Sequence, residues 1–179
     1  MYYSTTFESP VGLLTMASDG QNLVGLWLGG QKYHGGTLPE KATERDDIPV
    51  FAATKTWLSS YFAGEKPEVS ALPLAPIGSE FRQGVWMILR SIPYGSVLTY
   101  GEIAKMMAVR ANKERMSAQA VGGAVGHNPI SIIIPCHRVV GANGNLTGYG
   151  GGIAKKVKLL ELEGVDLSRF FVPAKGTAL

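Results

Sequence analysis

Over residues 1 to 28 apolar and polar positions alternate and break at turn residues, the pattern of a β-meander. Extended runs are expected from Tyr2 to Glu8, Gly12 to Ala17 and Leu23 to Leu28, with turns at Ser9-Pro10 and Asp19-Gly20. Residues 29 to 47, with Gly29-Gly30, Gly35-Gly36 and Pro39, are polar and read as a mobile loop. The period then becomes helical. Asp46 or Asp47 is placed to cap a helix with Pro49 in its first turn, running to about Phe62 and stopped by Gly64. Val50, Phe51, Trp57, Leu58, Tyr61 and Phe62 form its apolar face, whose default role is packing. Residues 65 to 78, with Pro67, Pro73 and Pro76, read as a linker, which puts a domain boundary near Gly78.

Beyond the boundary helices dominate. Ser79 caps a helix whose Phe81, Val85, Trp86, Leu89 and Ile92 share one stripe, ended by Pro93-Tyr94-Gly95. Thr99-Tyr100-Gly101-Glu102 fits a capping box and opens a short helix to about Ala108, with Tyr100 in its first turn and the phenol directed out of the helix start. A basic loop, Arg110 to Arg115, leads to Ser117, which caps a second short helix through Val125. The pair resembles a helix-turn-helix, with a connection longer than the usual 3 to 4 residues. Ile132, Ile133 and Ile134 read as a short buried strand ending at Pro135, and Asn143-Gly144 as a hairpin-type turn. A glycine-rich stretch, Thr147 to Gly152, precedes a last helix from Ile153 to Glu163. Its buried stripe is Ile153, Val157, Leu159 and Leu160, with Lys155, Lys156 and Lys158 on the polar side. The class is α+β: a small N-terminal sheet-and-helix domain over 1 to 78, and a mostly helical C-terminal domain over 79 to 179.

Composition narrows the classes. Of 179 residues 45% are hydrophobic, enough for a real core. No run reaches the roughly 18 consecutive apolar residues of a membrane span, and the start lacks a signal-peptide pattern, so a cytoplasmic location is expected. A single cysteine, Cys136, excludes an internal disulfide and a thiolate zinc cluster, and His34, His127 and His137 have no metal-ligand spacing. Charge is unevenly shared: residues 1 to 78 hold 5 Lys/Arg against 8 Asp/Glu, and residues 79 to 179 hold 12 against 6. The net +6 of the second part points to an anionic partner, with nucleic acid the leading candidate.

The candidate chemistry lies in Pro135-Cys136-His137-Arg138-Val139-Val140. A lone cysteine is commonly a small buried hydrophobe. The minority reading is a nucleophile: a thiol held at the end of a rigid apolar segment has an imidazole and a guanidinium beside it, and its thiolate needs a base or a positive neighbour near neutral pH. Adjacent side chains on an extended segment point to opposite faces, so His137 reaches the sulfur through a water or where the backbone turns. Two glycines and three alanines in the helix after Ser117 fit close helix packing, close approach to a phosphate backbone, or both. Both is the better account, because Gln119 and the basic loop would face the same partner. The glycine-rich loop before Ile153 exposes N–H groups at a helix start but lacks the spacing of a nucleotide-binding fingerprint. Glu163, in the last turn of its helix, opposes the helix dipole unless a donor such as His137 offsets it.

Several of these segments together resemble one family, the methylated-DNA-protein-cysteine methyltransferases, or O6-alkylguanine-DNA alkyltransferases. The likeness is carried by Pro-Cys-His-Arg-Val at 135 to 139, Ala120-Val121-Gly122-Gly123-Ala124, Asn128-Pro129, Thr99-Tyr100, and the Tyr149 to Gly152 loop with Leu159-Leu160 and Glu163-Gly164. It spans most of residues 79 to 164; the N-terminal part matches only in general form. Some relatives carry a metal site there, and this chain has no cysteine to build one. The resemblance implies repair of double-stranded DNA by a monomer without cofactor or metal, which flips out a damaged guanine and moves its O6-alkyl group, or that of O4-alkylthymine, onto Cys136 in a single turnover. His137 would be the base acting through a water, Glu163 its orienter, Tyr100 the donor to the departing guanine, and Asn128 the residue fixing the turn. Val139, Tyr149, Gly150 and Gly151 would hold the base. Ala118, Gln119, Gly122, Arg110 and Arg115 would meet the DNA, while Arg138 would be a structural ion-pair residue. Many members have arginine where Gln119 stands, filling the gap left by the flipped base; glutamine hydrogen-bonds but carries no charge. The competing readings are a lesion-binding module without transfer and a Cys-His thiol hydrolase.

Overall fold

The structure is a computed structural model, described for residues 1 to 174. It contains two compact units, one of residues Met1–Gly78 together with Pro129–Ile133, the other of Ser79–Asn128 and the chain from Ile134 onward.

The first unit is built on a four-stranded sheet of order β3-β2-β1-β4. The three strands of the meander, β1 (Tyr3–Ser9), β2 (Gly12–Ser18) and β3 (Leu23–Leu28), are antiparallel neighbours, with Phe7 opposite Leu14 and Leu14 opposite Leu28. Every residue of β3 is buried. Gly25 is required there, since a Cβ at that position would meet the Trp27 ring at 2.0 Å. The segment expected to be a mobile loop contributes β4 (Thr43–Glu44), parallel to β1, and buries Gln31, whose Oε1 accepts from Leu28 N at 2.9 Å and from Ser131 Oγ at 3.0 Å.

Helix α1 (Pro49–Phe62) has the expected length, but its N-cap is Ile48 without a side-chain cap. The two aspartates have other partners: Asp46 accepts from Thr5 and pairs with Lys55, and Asp47 holds the Arg45 guanidinium. The proline-rich stretch after α1 is not a free linker. Leu23 N donates to Pro73 O at 2.8 Å, Ala75 N to Leu23 O at 2.9 Å, and Trp57 Nε1 to Glu68 O at 3.1 Å, which ties it to the sheet and to α1.

The second unit is helical, as its 3.6-residue periodicity requires. Ser79 caps α2 (Glu80–Arg90) by accepting from Arg82 N, and Thr99 and Glu102 form the full capping box of α3 (Tyr100–Arg110). Ser117 caps α4 (Ala118–Gly126), and α5 (Ile153–Leu162) ends at Glu163. α3 runs two residues beyond expectation, so Arg110 is in its last turn rather than in a loop. There its charge meets the negative end of the helix dipole. The small residues of α4 allow close packing: Trp86 Nε1 on α2 donates to Ala124 O at 2.9 Å. A short parallel pair, β5 (Leu98–Thr99) with β6 (Val139–Val140), lies at the entry to α3.

Two further local expectations fail. The three isoleucines do not form a strand. Ile130 bridges Leu26 of β3, after which Ser131 O accepts from Ile133 N at 2.8 Å across a turn centred on Ile132, whose φ is 71°. Positive φ is unfavourable for a β-branched residue, so tertiary packing overrides the propensity on which the strand was read. Asn143-Gly144 does not join antiparallel strands either. Both residues have positive φ in a compact turn closed by Gly141 N to Asn145 O at 2.7 Å, and β6 pairs in parallel with β5 instead.

Candidate active site

The cysteine is positioned by turns. Pro135, with φ −81° and ψ 67°, centres a three-residue turn in which Cys136 N donates to Ile134 O at 2.8 Å. Cys136–Arg138 then forms one turn of 3-10 helix before β6. Cys136 and His137 are both buried, His137 completely. The backbone therefore turns where an extended segment would have sent the two side chains to opposite faces.

Glu163, the C-cap of α5, is brought to this turn. His137 Nε2 is 2.5 Å from Glu163 Oε2, and Arg138 Nε donates to Glu163 Oε1 at 2.6 Å. Gly95 N donates to the same oxygen at 3.3 Å. Arg138 is also fixed by Nη1 to Ile92 O at 2.7 Å and lies over the Tyr94 ring. Burial alone would raise the Glu163 pKa, but the bonds from His137 and Arg138 more than offset it and hold it at about 2. Burial pushes the His137 pKa below the ordinary histidine value against the pull of Glu163, helped by the charges of Arg138 and Lys156. The pair is thus a carboxylate and a neutral imidazole. With Nε2 donating to the carboxylate, Nδ1 is the basic nitrogen.

Tyr100, at the start of α3, does not point outward as expected. It is buried, and its hydroxyl donates to Gly148 O at 3.1 Å and lies 3.4 Å from Thr147 O. Burial, then the neighbouring Cys136 charge, pushes its pKa well above the phenol range, so it stays a donor. Asn128, just after α4, is buried and donates from Nδ2 to Ile134 O at 2.7 Å, two residues before the cysteine. Asn128→Ala should lower unfolding free energy by about 1 to 3 kcal/mol in urea denaturation, because the Ile134 carbonyl loses a buried donor.

Val139 is fully buried in β6, and Tyr149, Gly150 and Gly151 are half-buried in the loop before α5. On α4, Ala118, Gln119, Ala120 and Gly123 are exposed. Gly122, expected to meet DNA, is buried; the open glycine is Gly123, where a Cβ would meet nothing within 4 Å. The helical period turns residue 122 inward with Val121 and Val125. Arg110 and Arg115 are both exposed. Lys105, Glu114 and Arg115 help line a surface concavity of about 280 Å³ that also reaches Ala118.

The sequence reading missed one residue. Lys156, assigned to the polar side of α5, is completely buried, with Nζ donating to Val139 O at 2.5 Å and to Thr147 O at 3.1 Å. Its spacing carried the signal, since it is three residues from both Ile153 and Leu159 and four from Leu160; its residue type argued the other way. Among the described residues no helix is long and apolar enough to cross a membrane, and no group of three His, Cys, Asp or Glu is placed to hold a metal ion.

Comparison with known proteins adds to this geometry. Residues 80–165 match the family model described as 6-O-methylguanine DNA methyltransferase, DNA binding domain, and residues 1–76 match the model of the ribonuclease-like domain of the same methyltransferase. A methylated-DNA–protein-cysteine methyltransferase of Haemophilus influenzae is 44% identical over 161 residues, covering 90% of this chain and 86% of the relative. One of Mycobacterium bovis is 45% identical over 163 residues, covering 91% and 93%. A crystal structure of Mycobacterium tuberculosis OGT in complex with DNA superposes with a TM-score of 0.77 at 44% identity, covering 96% of each chain. An O6-methylguanine DNA methyltransferase from Methanococcus jannaschii gives 0.62 at 28% identity, covering 98% and 99%.

Proposed function

The chain belongs to the 6-O-methylguanine DNA methyltransferase family and repairs DNA by alkyl transfer to a cysteine, and from that premise we propose how its own residues perform the transfer. Cys136 is the acceptor. Its proton passes through a water to Nδ1 of His137, which the ionised Glu163 holds in the tautomer able to receive it. The sulfur attacks the alkyl carbon, a C–S bond forms, the C–O6 bond breaks, and its electron pair leaves with guanine. Tyr100, still protonated, gives the departing base a hydrogen bond or a proton, because a neutral base leaves more readily than an anion. Val139 and the Tyr149, Gly150 and Gly151 loop hold the guanine edge, and Asn128 fixes the turn before the cysteine.

Duplex DNA is met by α4 through Ala118, Gln119 and Gly123, with Arg110 and Arg115 on phosphates. Gln119 enters the space of the flipped base and hydrogen-bonds to its orphaned partner. The product is a thioether, which thiol exchange does not reverse, so each molecule acts once. The observation that carries this assignment is the buried His137–Glu163–Arg138 network on the turn that bears the chain's lone cysteine.

The test is intact-protein mass spectrometry after mixing the protein with an equimolar duplex containing one O6-methylguanine, followed by peptide mapping. One methyl group on Cys136, absent with unmodified duplex and stopping at one equivalent, is expected. No mass change despite a reduced thiol and measurable duplex binding would overturn the transfer assignment in favour of lesion binding alone.

A further inference from the structure

Lys156 is fully buried, yet among the described residues it forms no ion pair with a carboxylate. An ammonium taken out of water without a counterion is destabilising, so stability does not account for it. Its two acceptors do. One is the carbonyl of Val139, three residues after Cys136 and locked in β6; the other is the carbonyl of Thr147, at the start of the glycine-rich loop. In that loop Gly148 and Gly152 have positive φ, and Gly152 N donates to Tyr149 O at 2.9 Å. The Tyr100 hydroxyl donates to the next carbonyl, Gly148 O.

We infer that Lys156 is a positioning residue for alkyl transfer, its ammonium tying the Val139 carbonyl to the Thr147 carbonyl and so setting the separation of the two walls that grip the guanine. This rests on the methyltransferase reading above. Lys156 touches neither the base nor the transferred group; it acts through the loop. Each of its two bonds runs to a different wall, so losing it loosens the 147–152 loop, which keeps its bond from Tyr100, while leaving the cysteine turn held by Glu163, Arg138 and Asn128. Burial pulls the Lys156 pKa down to about 8 against the raising effect of Cys136, so the tie is protonated at neutral pH and weakens above it. Of the titratable groups near it, Cys136 and His137 on the cysteine turn interact with its charge, and the Tyr100 hydroxyl of α3 lies at the same Thr147 carbonyl.

The test compares wild type and Lys156→Met, which keeps length and burial but donates nothing, in three measurements. These are single-turnover transfer from an O6-methylguanine duplex, carboxymethylation of Cys136 by iodoacetate, and amide hydrogen exchange of residues 147–152. Expected for the variant is a fall in transfer on the order of 100-fold, carboxymethylation within about 3-fold of wild type, and faster exchange in the loop. Unchanged transfer, or transfer and carboxymethylation falling together, would overturn the inference. If Lys156→Met does not fold, the wild type between pH 7 and 9.5 decides. Loop exchange, corrected for its intrinsic pH dependence, should accelerate and transfer should fall through about pH 8 while carboxymethylation does not fall; a flat loop overturns the tie. Wild type that reacts with iodoacetate but never with the lesion duplex would sink the methyltransferase reading itself, while loop exchange would still report on the tie.

Discussion

Cys136→Ser should abolish methyl transfer while leaving duplex affinity within about 3-fold of wild type, a change of no more than about 0.7 kcal/mol. On the reading proposed above, the site makes a thiolate. The imidazole is neutral and fully buried beside the cysteine, and its other nitrogen is fixed on an ionised carboxylate. A serine hydroxyl is too weak an acid for that base to ionise, and its oxygen is a poorer nucleophile toward an alkyl carbon. Removing the nucleophile of a comparable nucleophile-base-orienter group lowers the rate by about 10⁶-fold, which here means no transfer on a laboratory timescale. Binding is retained because the expected DNA surface, Gln119 with Arg110 and Arg115, is exposed, whereas Cys136 is buried. Fluorescence anisotropy with a lesion duplex measures the first quantity and mass spectrometry the second. A Cys136→Ser protein that still gains a methyl group would place the acceptor elsewhere; one that loses duplex binding would make the cysteine part of the binding surface.

Glu163→Gln should act on stability and rate together. The carboxylate is the counter-charge of Arg138 and the acceptor that orients His137, and it is buried. An amide is nearly the same shape but leaves Arg138 as a buried cation without its counter-charge, which costs on the order of 3 kcal/mol. The orienter of a catalytic histidine contributes on the order of 10⁴-fold to rate, so transfer should fall by about that factor at a temperature where the variant is folded.

The same carboxylate makes the stability pH-dependent, and the sign follows from its depressed pKa. Glu163 titrates near 2 in the folded protein and near the ordinary glutamate value unfolded, so its contribution is present above about pH 4.5 and is lost as pH falls toward about 2. His137 acts in the same direction at milder acidity. It is held neutral in the fold but binds a proton in the unfolded chain below about pH 6.5, so stability declines from there as pH falls. Urea midpoints of wild type should therefore drop in two stages on acidification. Glu163→Gln should lack the lower stage, and a variant that keeps it would assign that titration to another carboxylate.

Much of the fold is legible locally. The meander follows from period-2 alternation broken at Ser9-Pro10 and Asp19-Gly20. The caps at Ser79, Thr99 and Ser117 follow from side chains that satisfy the first free N–H groups of a helix, a requirement that holds wherever the helix is placed. The family, and with it the reaction, is legible in the Pro-Cys-His-Arg-Val segment and its companions. The surface that would meet DNA is legible down to a helix, but Gly122 and Gly123 are identical in type and only the rotation of α4 decides which one is open.

The sequence by itself thus determined the three meander strands, the helices with the caps at Ser79, Thr99 and Ser117, and the chemical types gathered around one thiol, because these depend on neighbours a few residues apart. Only the tertiary structure decided what depends on distant partners. It bends three isoleucines with strong β propensity into a turn at Ile132, because the chain leaves β3 there. It takes Asp46 and Asp47 from a helix cap to Lys55 and Arg45, and turns Tyr100 inward onto a loop 47 and 48 residues away. It buries Lys156 where two carbonyls from separate segments converge, an environment that no residue near it in sequence specifies.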